Sequence, residues 1–308
     1  MADTDVGKKR PGLGTVLVLI SSVCWSSAAV LIKLGLDADL GEIPLNAARL
    51  VIGAAVLGLF LLFDPRRSAK KRLPPRLLVA LLVFGAVDYG LGGLLFFAAI
   101  RYLGASLATL LIFTYPATVV IFSAVLGWEK ITLPVASAVL LTFIGVSLVL
   151  EIGFVISEEM WIGIAFVFAC TLIFTFYLLF CERLLERHSS AQVSFYSLAG
   201  GAASMLILLL WFPFPLETVM RPENLLLLAT IGVVSTALSL IFFLMGIRHI
   251  GAPHASIITT IEPAFVVLLA WLILGETLSW LQLVGVAILL AGVAMARRKR
   301  PSMTEPGP

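Results

Sequence analysis

The feature that most constrains this chain is a succession of long apolar runs that carry almost no charge and do not alternate with polar residues. They lie near residues 13–34, 44–63, 77–99, 104–127, 132–150, 161–181, 191–213, 224–247, 251–274 and 279–296. A helix of about 20 mostly apolar residues crosses a bilayer core. No water reaches the hydrocarbon to satisfy backbone N–H and C=O groups, so a crossing segment is either a helix or a strand of a closed barrel. Barrel strands alternate between lipid-facing and lumen-facing residues, and continuous runs exclude them. Of 308 residues 60% are hydrophobic and 13% charged, about half the charge of a soluble domain. The excess is spread along the whole chain. The expected fold is an all-α integral membrane protein with ten transmembrane helices.

The joins at 100–103 and 248–251 are short enough to predict antiparallel hairpins. Residues 1–12 and 297–308 read as polar cytoplasmic tails, expected to be disordered. Lys8, Lys9 and Arg10 precede a first run too long for the apolar region of a cleavable signal. Cys24, Cys170 and Cys181 show no paired spacing and read as small apolar packing residues. The net charge of +3 is no nucleic-acid footprint, because the basic residues sit in short clusters between apolar runs. With ten crossings and a cytoplasmic N-terminus, seventeen Lys and Arg fall inside, among them Arg66, Arg67, Lys70, Lys71, Arg72, Lys130, Arg187, Arg248 and Arg297 to Arg300. Only Arg101 and Arg221 fall outside. This positive-inside bias predicts both termini in the cytoplasm of a cell (inner) membrane protein.

The chain also repeats itself. Displaced by 147 residues, Arg101-Tyr-Leu-Gly104-Ala105 falls on Arg248-His-Ile-Gly251-Ala252, Pro116-Ala117 on Pro263-Ala264, Glu129 on Glu276, and Gly145-Val146 on Gly292-Val293. About 12 of 46 ungapped positions are identical, where this composition gives about five by chance. Two five-helix repeats follow, over 13–150 and 161–296, joined by an outer loop at 151–160. An odd number of helices per repeat makes the two halves inverted, which is the basis of alternating access around a midplane site.

At these residues the sequence resembles the EamA family of the drug/metabolite transporter superfamily. The resemblance rests on Trp25-Ser26-Ser27 with Lys33, on Pro44 and Ala48-Arg49, and on Glu262-Pro263-Ala264. Leu274-Gly275-Glu276-Thr277-Leu278, Gly285 and Ala291-Gly292-Val293 complete it. Trp25-Ser26 departs from the family's Trp-Gly, and Gly127-Trp128-Glu129 from its Gly-Glu. The resemblance implies a ten-helix fold around a central cavity, with the fifth and tenth helices peripheral. It implies export or exchange of small metabolites such as amino acids, nucleobases, sugars or drugs.

Charged residues inside the runs are the site candidates, since each costs at least about 2.5–3.5 kcal/mol at a helix centre. Asp88, mid-span, is either a cavity-lining proton or cation site or a neutral acid hydrogen-bonded between helices. Glu262 precedes Pro263, and its counterpart is Tyr115 before Pro116; both prolines read as helix kinks. Arg49 and Lys33 lie near the outer ends of their spans, where they could meet and draw a substrate carboxylate, or snorkel to the interface. Trp25, Tyr89, Tyr115, Tyr177 and Tyr196 are aromatics that either pack or touch substrate. Ser26, Ser27, Thr259 and Thr260 are small polar groups for helix bridging, and Glu129 and Glu276 are expected to cap helix ends in both halves. The last span of each half lacks a mid-depth ionisable group and reads as a lipid-facing support or a homodimer surface. No cofactor, metal or nucleic-acid partner is expected. An intramembrane aspartyl enzyme needs two Asp at depth, and only Asp88 is there. The competing class is a non-transporting scaffold or receptor.

Overall fold

The computed structural model describes residues 10–63, 73–127, 133–149, 157–185, 189–212, 216–250, 255 and 258–298. Every regular element among them is helical. Helix α1 spans Pro11–Asp37, α2 Glu42–Leu62 and α3 Pro75–Gly85. A π-helical turn, Ala86–Gly92, carries α3 into α4, Gly93–Ile112. Then follow α5 Tyr115–Val125, α6 Leu133–Val149, α7 Glu158–Leu185 and α8 Ser190–Trp211. A single turn, α9 (Leu216–Val219), precedes α10 Pro222–Thr230. A second π-helical turn, Ile231–Leu238, joins α10 to α11, Ser239–Ile250. A 3₁₀ turn, Thr259–Ile261, opens α12 Glu262–Leu274, and α13 spans Trp280–Arg298.

Six of the described helices are long and apolar enough to cross a membrane, and three shorter apolar ones accompany them. Their side chains are distributed as in a lipid-solvated protein. Trp211, Leu210 and Leu226 are at least 70% exposed, whereas Ser21, Ser22, Asn46, Thr175 and Ser197 are fully buried. In water so large an exposed apolar surface would drive association. This is a multi-pass membrane protein.

The element boundaries correct several sequence expectations. Helix α1 starts inside the tail assigned to 1–12, and α13 runs into the one assigned to 297–308. Residues 1–9 and 299–308, and most of the basic clusters, lie outside the described residues. The join expected at 100–103 shrinks to one residue. Helical hydrogen bonding runs from Pro75 to Ile112, which would make a straight rod of about 57 Å, nearly twice a bilayer core. Gly104 breaks it with φ 79° and ψ 172°, a conformation that a residue with a Cβ rarely adopts. Pro116 and Pro263 do not kink continuous helices. They sit in the first turns of α5 and α12, where a missing N–H costs nothing because no carbonyl waits for it. The break before α5 is bridged by tight turns, Thr114 N–H to Leu111 O (3.0 Å) and Ala117 N–H to Thr114 O (3.0 Å).

Helix starts recur along the chain at a spacing of 147: Pro11 and Glu158, Pro75 and Pro222, Tyr115 and Glu262, Leu133 and Trp280. The two π-helical turns overlap under the same displacement. Packing is exchanged in the same way: α1 packs on α11 as α7 packs on α4, and α1 on α12 as α7 on α5. Helices α6 and α13 pack on one another, so one face of each is committed within the chain.

Backbone approach sets the central crossing. A Cβ at Gly85 would collide with the carbonyl of Ser197, and one at Gly200 with that of Leu82. Helix α3 therefore lies directly on α8. Gly200→Ala is expected to lose about 1–3 kcal/mol of stability. Thermal unfolding in detergent checks this against Gly12→Ala, where a Cβ meets open space and the unfolding temperature stays unchanged.

Candidate functional site

The π-helical turn at Ala86–Gly92 organises the polar centre. Widening a helix by one residue per turn displaces backbone carbonyls from their normal partners, and such bulges often sit at functional sites. Here the fully buried Asn46 of α2 donates its side-chain N–H groups to the carbonyls of Tyr89 (3.0 Å) and Gly90 (3.1 Å). Gly93 makes room for that amide: a Cβ there would lie 2.7 Å from Asn46 Nδ2. Asn46 thus clamps α2 to the turn that carries Asp88 and Tyr89. Sequence reasoning passed over Asn46. Its signal was available, as a lone carboxamide within an apolar span.

One turn along α2, Arg49 lies on the same side. Its guanidinium carbon sits 5.2 Å from the centre of the Phe97 ring, within cation–π range. Its Nε is enclosed and has no acceptor. Asp88 is nine-tenths buried, and no hydrogen bond reaches its carboxylate among the described residues. Arg49, Asp88, Tyr89 and Cys170 are within electrostatic reach of one another, yet no direct ion pair joins the two charges. Tyr89 and Tyr177 meet edge to face at 5.7 Å. Phe174 packs beside Tyr177 and Tyr89 and also meets Tyr115 at 5.0 Å. The fold thus brings Arg49, Asp88, Tyr89 and Tyr177 together, with Tyr115 at the margin.

The other candidates are elsewhere. Glu262 accepts from Ser22 Oγ (3.4 Å), and Ser26 Oγ donates to the Glu262 carbonyl (3.1 Å), forming a second polar cluster between α1 and α12. Ser27 pairs with Ser235 at 2.7 Å, the position that corresponds to Asp88. Trp25 is 40% exposed and meets Phe243 edge to face, apart from the Arg49 cluster. Tyr196 packs on its neighbour Phe195 and, unlike the others, also against the cluster that holds Tyr177. Lys33 and Arg49 do not meet: Lys33 reaches Asp37 one turn on, at 2.6 Å, while Arg49 faces the π-helical turn.

Glu276 caps a helix end, though one far away in sequence. Gly275 closes α12 in the left-handed conformation, φ 69°. The Glu276 carboxylate then accepts from the backbone N–H groups of Ala105 (2.8 Å) and Ser106 (2.9 Å). It neutralises the helix start exposed by the break at Gly104. Nearby, Arg101 Nε meets Glu42 Oε1 at 2.9 Å. Glu129 lies outside the described residues. Among the described residues, no group of three or more His, Cys, Asp or Glu could hold a metal ion.

The sequence model of the EamA-like transporter family matches this chain twice, at residues 12–151 and 161–298. The chain belongs to the EamA-like transporter family. Its relatives include an uncharacterised transporter of Archaeoglobus fulgidus, 28% identical over 286 residues, covering 93% of this chain and 97% of that protein. The threonine/homoserine exporter RhtA of Escherichia coli is 25% identical over 307 residues, covering 95% of each. One solved crystal structure shares the fold with a TM-score of 0.64 at 20% identity, covering 93% of this chain and 97% of the other. As a member of this family, the protein is a transporter.

Asn46→Ala leaves two buried carbonyls short of a donor and is expected to cost about 1–3 kcal/mol. Asn46→Asp, which sets a carboxylate against the same carbonyls, is expected to cost more. Thermal unfolding of the purified variants reads both.

Proposed function

We propose that this EamA-like transporter is a secondary active exporter or exchanger of small metabolites, working by alternating access between two inverted five-helix halves, 13–150 and 161–296. The observation that carries the reading is the exchanged packing. Helix starts recur at a spacing of 147, and the main contacts between the halves are exchanged, α1 on α11 as α7 on α4 and α1 on α12 as α7 on α5. A frame built this way has two arrangements of similar energy, one open to each side. Ten crossings, with both termini in the cytoplasm of an inner membrane, fit the bias of basic residues. The relative named as a threonine/homoserine exporter supports outward transport of small metabolites. Arg49, Asp88, Tyr89 and Tyr177 are the proposed substrate residues, and Glu262 with Ser22 and Ser26 a proposed proton or cation coupling site.

Counterflow in proteoliposomes tests this reading. Saturable exchange of a metabolite from a broad panel is expected. A folded protein that exchanges none would instead be a scaffold.

In the proposed orientation Glu276 and Ala105 face the outside, and the cap between them ties the two halves together there. Opening the outer mouth then breaks two charge-assisted hydrogen bonds. Glu276→Ala removes a cap of about 1 kcal/mol, which moves a two-state equilibrium about fivefold. A cysteine at Ser106, with Cys24, Cys170 and Cys181 replaced by alanine, is expected to react about fivefold faster with an impermeant maleimide in the Glu276→Ala background.

A further inference from the structure

Where α1 meets α12, the polar contact is made of oxygen. Ser22 and Ser26 lie one turn apart on α1, both buried, and both reach Glu262. The half-buried Glu262 opens α12 directly after the 3₁₀ turn. Two features set this contact apart from a completed hydrogen-bond network. Ser22 Oγ stands 3.4 Å from Glu262 Oε1, whereas a hydroxyl donating to a carboxylate closes to about 2.5–2.7 Å. Ser26 Oγ has a single hydrogen and two carbonyl oxygens beside it, Ser22 O at 2.7 Å and Glu262 O at 3.1 Å. Once that hydrogen goes to the nearer one, Ser26 Oγ and the Glu262 carbonyl face each other lone pair to lone pair. The related seam between α7 and α5 is closed and carries no carboxylate: Thr118 and Thr175 meet there at 2.6 Å.

We infer that Ser22, Ser26 and Glu262 form a sodium site between α1 and α12, with Ser22 Oγ, Ser26 Oγ, Glu262 Oε1 and the Glu262 carbonyl as its protein ligands. The inference rests on the transporter reading above and narrows its coupling site to one ion. A hard cation of the size of Ca²⁺, which Na⁺ matches, holds oxygen at about 2.4 Å, so that neighbouring ligands stand about 3.4 Å apart. That is the separation of Ser22 Oγ from Glu262 Oε1. K⁺ is larger and spreads its ligands further, and a shared proton draws two oxygens closer together. One carboxylate balances one positive charge, which favours Na⁺ over Ca²⁺ where water is scarce. The ion also gives Ser26 Oγ and the Glu262 carbonyl a common partner for their lone pairs. Because Glu262 is half-buried, water reaches the site to fill the remaining positions. Helix α1 lies in the first of the two family matches and α12 in the second. A bound ion therefore ties the halves together at this seam, and its affinity differs between their two arrangements, which is what coupling requires.

The test is equilibrium binding of radiolabelled Na⁺ to the purified full chain in detergent, with no metabolite present. Saturable binding is expected, displaced by NaCl at least about tenfold better than by KCl. Ser26→Ala is expected to weaken it at least about tenfold, and Glu262→Gln to abolish it. Thr175→Ala, in the related seam, is expected to leave it unchanged. Where Glu262→Gln fails to fold, Ser22→Ala takes its place with the same weakening as Ser26→Ala, and the displacement series on the native protein still decides. No saturable binding, displacement by KCl as effective as by NaCl, or binding that survives both Ser26→Ala and Glu262→Gln would each overturn the inference. Counterflow in proteoliposomes separates the two readings. Metabolite exchange by a protein that binds no Na⁺ overturns the sodium site and leaves transport standing. Na⁺ binding at these residues by a protein that exchanges no metabolite supports the site and removes the transporter reading.

Discussion

The structure depends on one constraint: in a bilayer, backbone N–H and C=O groups left by a broken helix have no water to turn to. Most of the chain meets it with continuous helix. The informative places are the departures, and each has its own compensation. At Gly104 the exposed helix start is closed by the Glu276 carboxylate, bonded to Ala105 and Ser106. At the π-helical turn the carbonyls of Tyr89 and Gly90 are taken by Asn46. Before α5 the chain bonds to itself through Thr114 and Ala117. Two of the three compensating groups come from a segment distant in sequence, so local irregularity and tertiary assembly are the same problem here.

That coupling explains where the polar side chains gather. The turn that needs Asn46 also carries Asp88 and Tyr89, and Arg49 shares a helix with Asn46. Satisfying the backbone therefore brings an acid and a base into one region. In the second π-helical turn the position equivalent to Asp88 is Ser235, which bonds Ser27 at 2.7 Å. One turn carries a carboxyl group and the other a hydroxyl pair, so two turns of like backbone differ in the polar groups they present.

Close backbone crossings give the interior its rigidity. Gly85 and Gly200 bring α3 and α8 into direct contact, and Gly201 admits the Tyr89 side chain, whose Cβ would lie 2.7 Å from an added Cβ. Helices α6 and α13 repeat the device at the edge. A Cβ at Gly145 would lie 2.5 Å from the Leu289 nitrogen, and one at Gly285 2.7 Å from that of Val149. Small residues do this in membranes because lipid tails solvate apolar side chains as well as another helix does, leaving packing to favour association.

The sequence by itself determined the helical class, the approximate spans and the 147-residue recurrence, because each is a one-dimensional pattern imposed by bilayer thickness and duplication. It also marked Arg49, Asp88, Tyr89, Tyr177 and Glu262, since ionisable and phenolic groups stand out in apolar runs. Only the tertiary structure decided which of them meet. Lys33 and Arg49, neighbours across a hairpin on paper, turn to Asp37 and Phe97. Glu276 reads as a local cap and closes a helix some 170 residues away. Asn46 reads as nothing in particular and clamps the turn beneath Asp88. These partnerships follow from helix rotation and crossing, fixed by glycine contacts and by a one-residue widening of the helix. Neither leaves a periodic trace in the sequence from which a partner could be read.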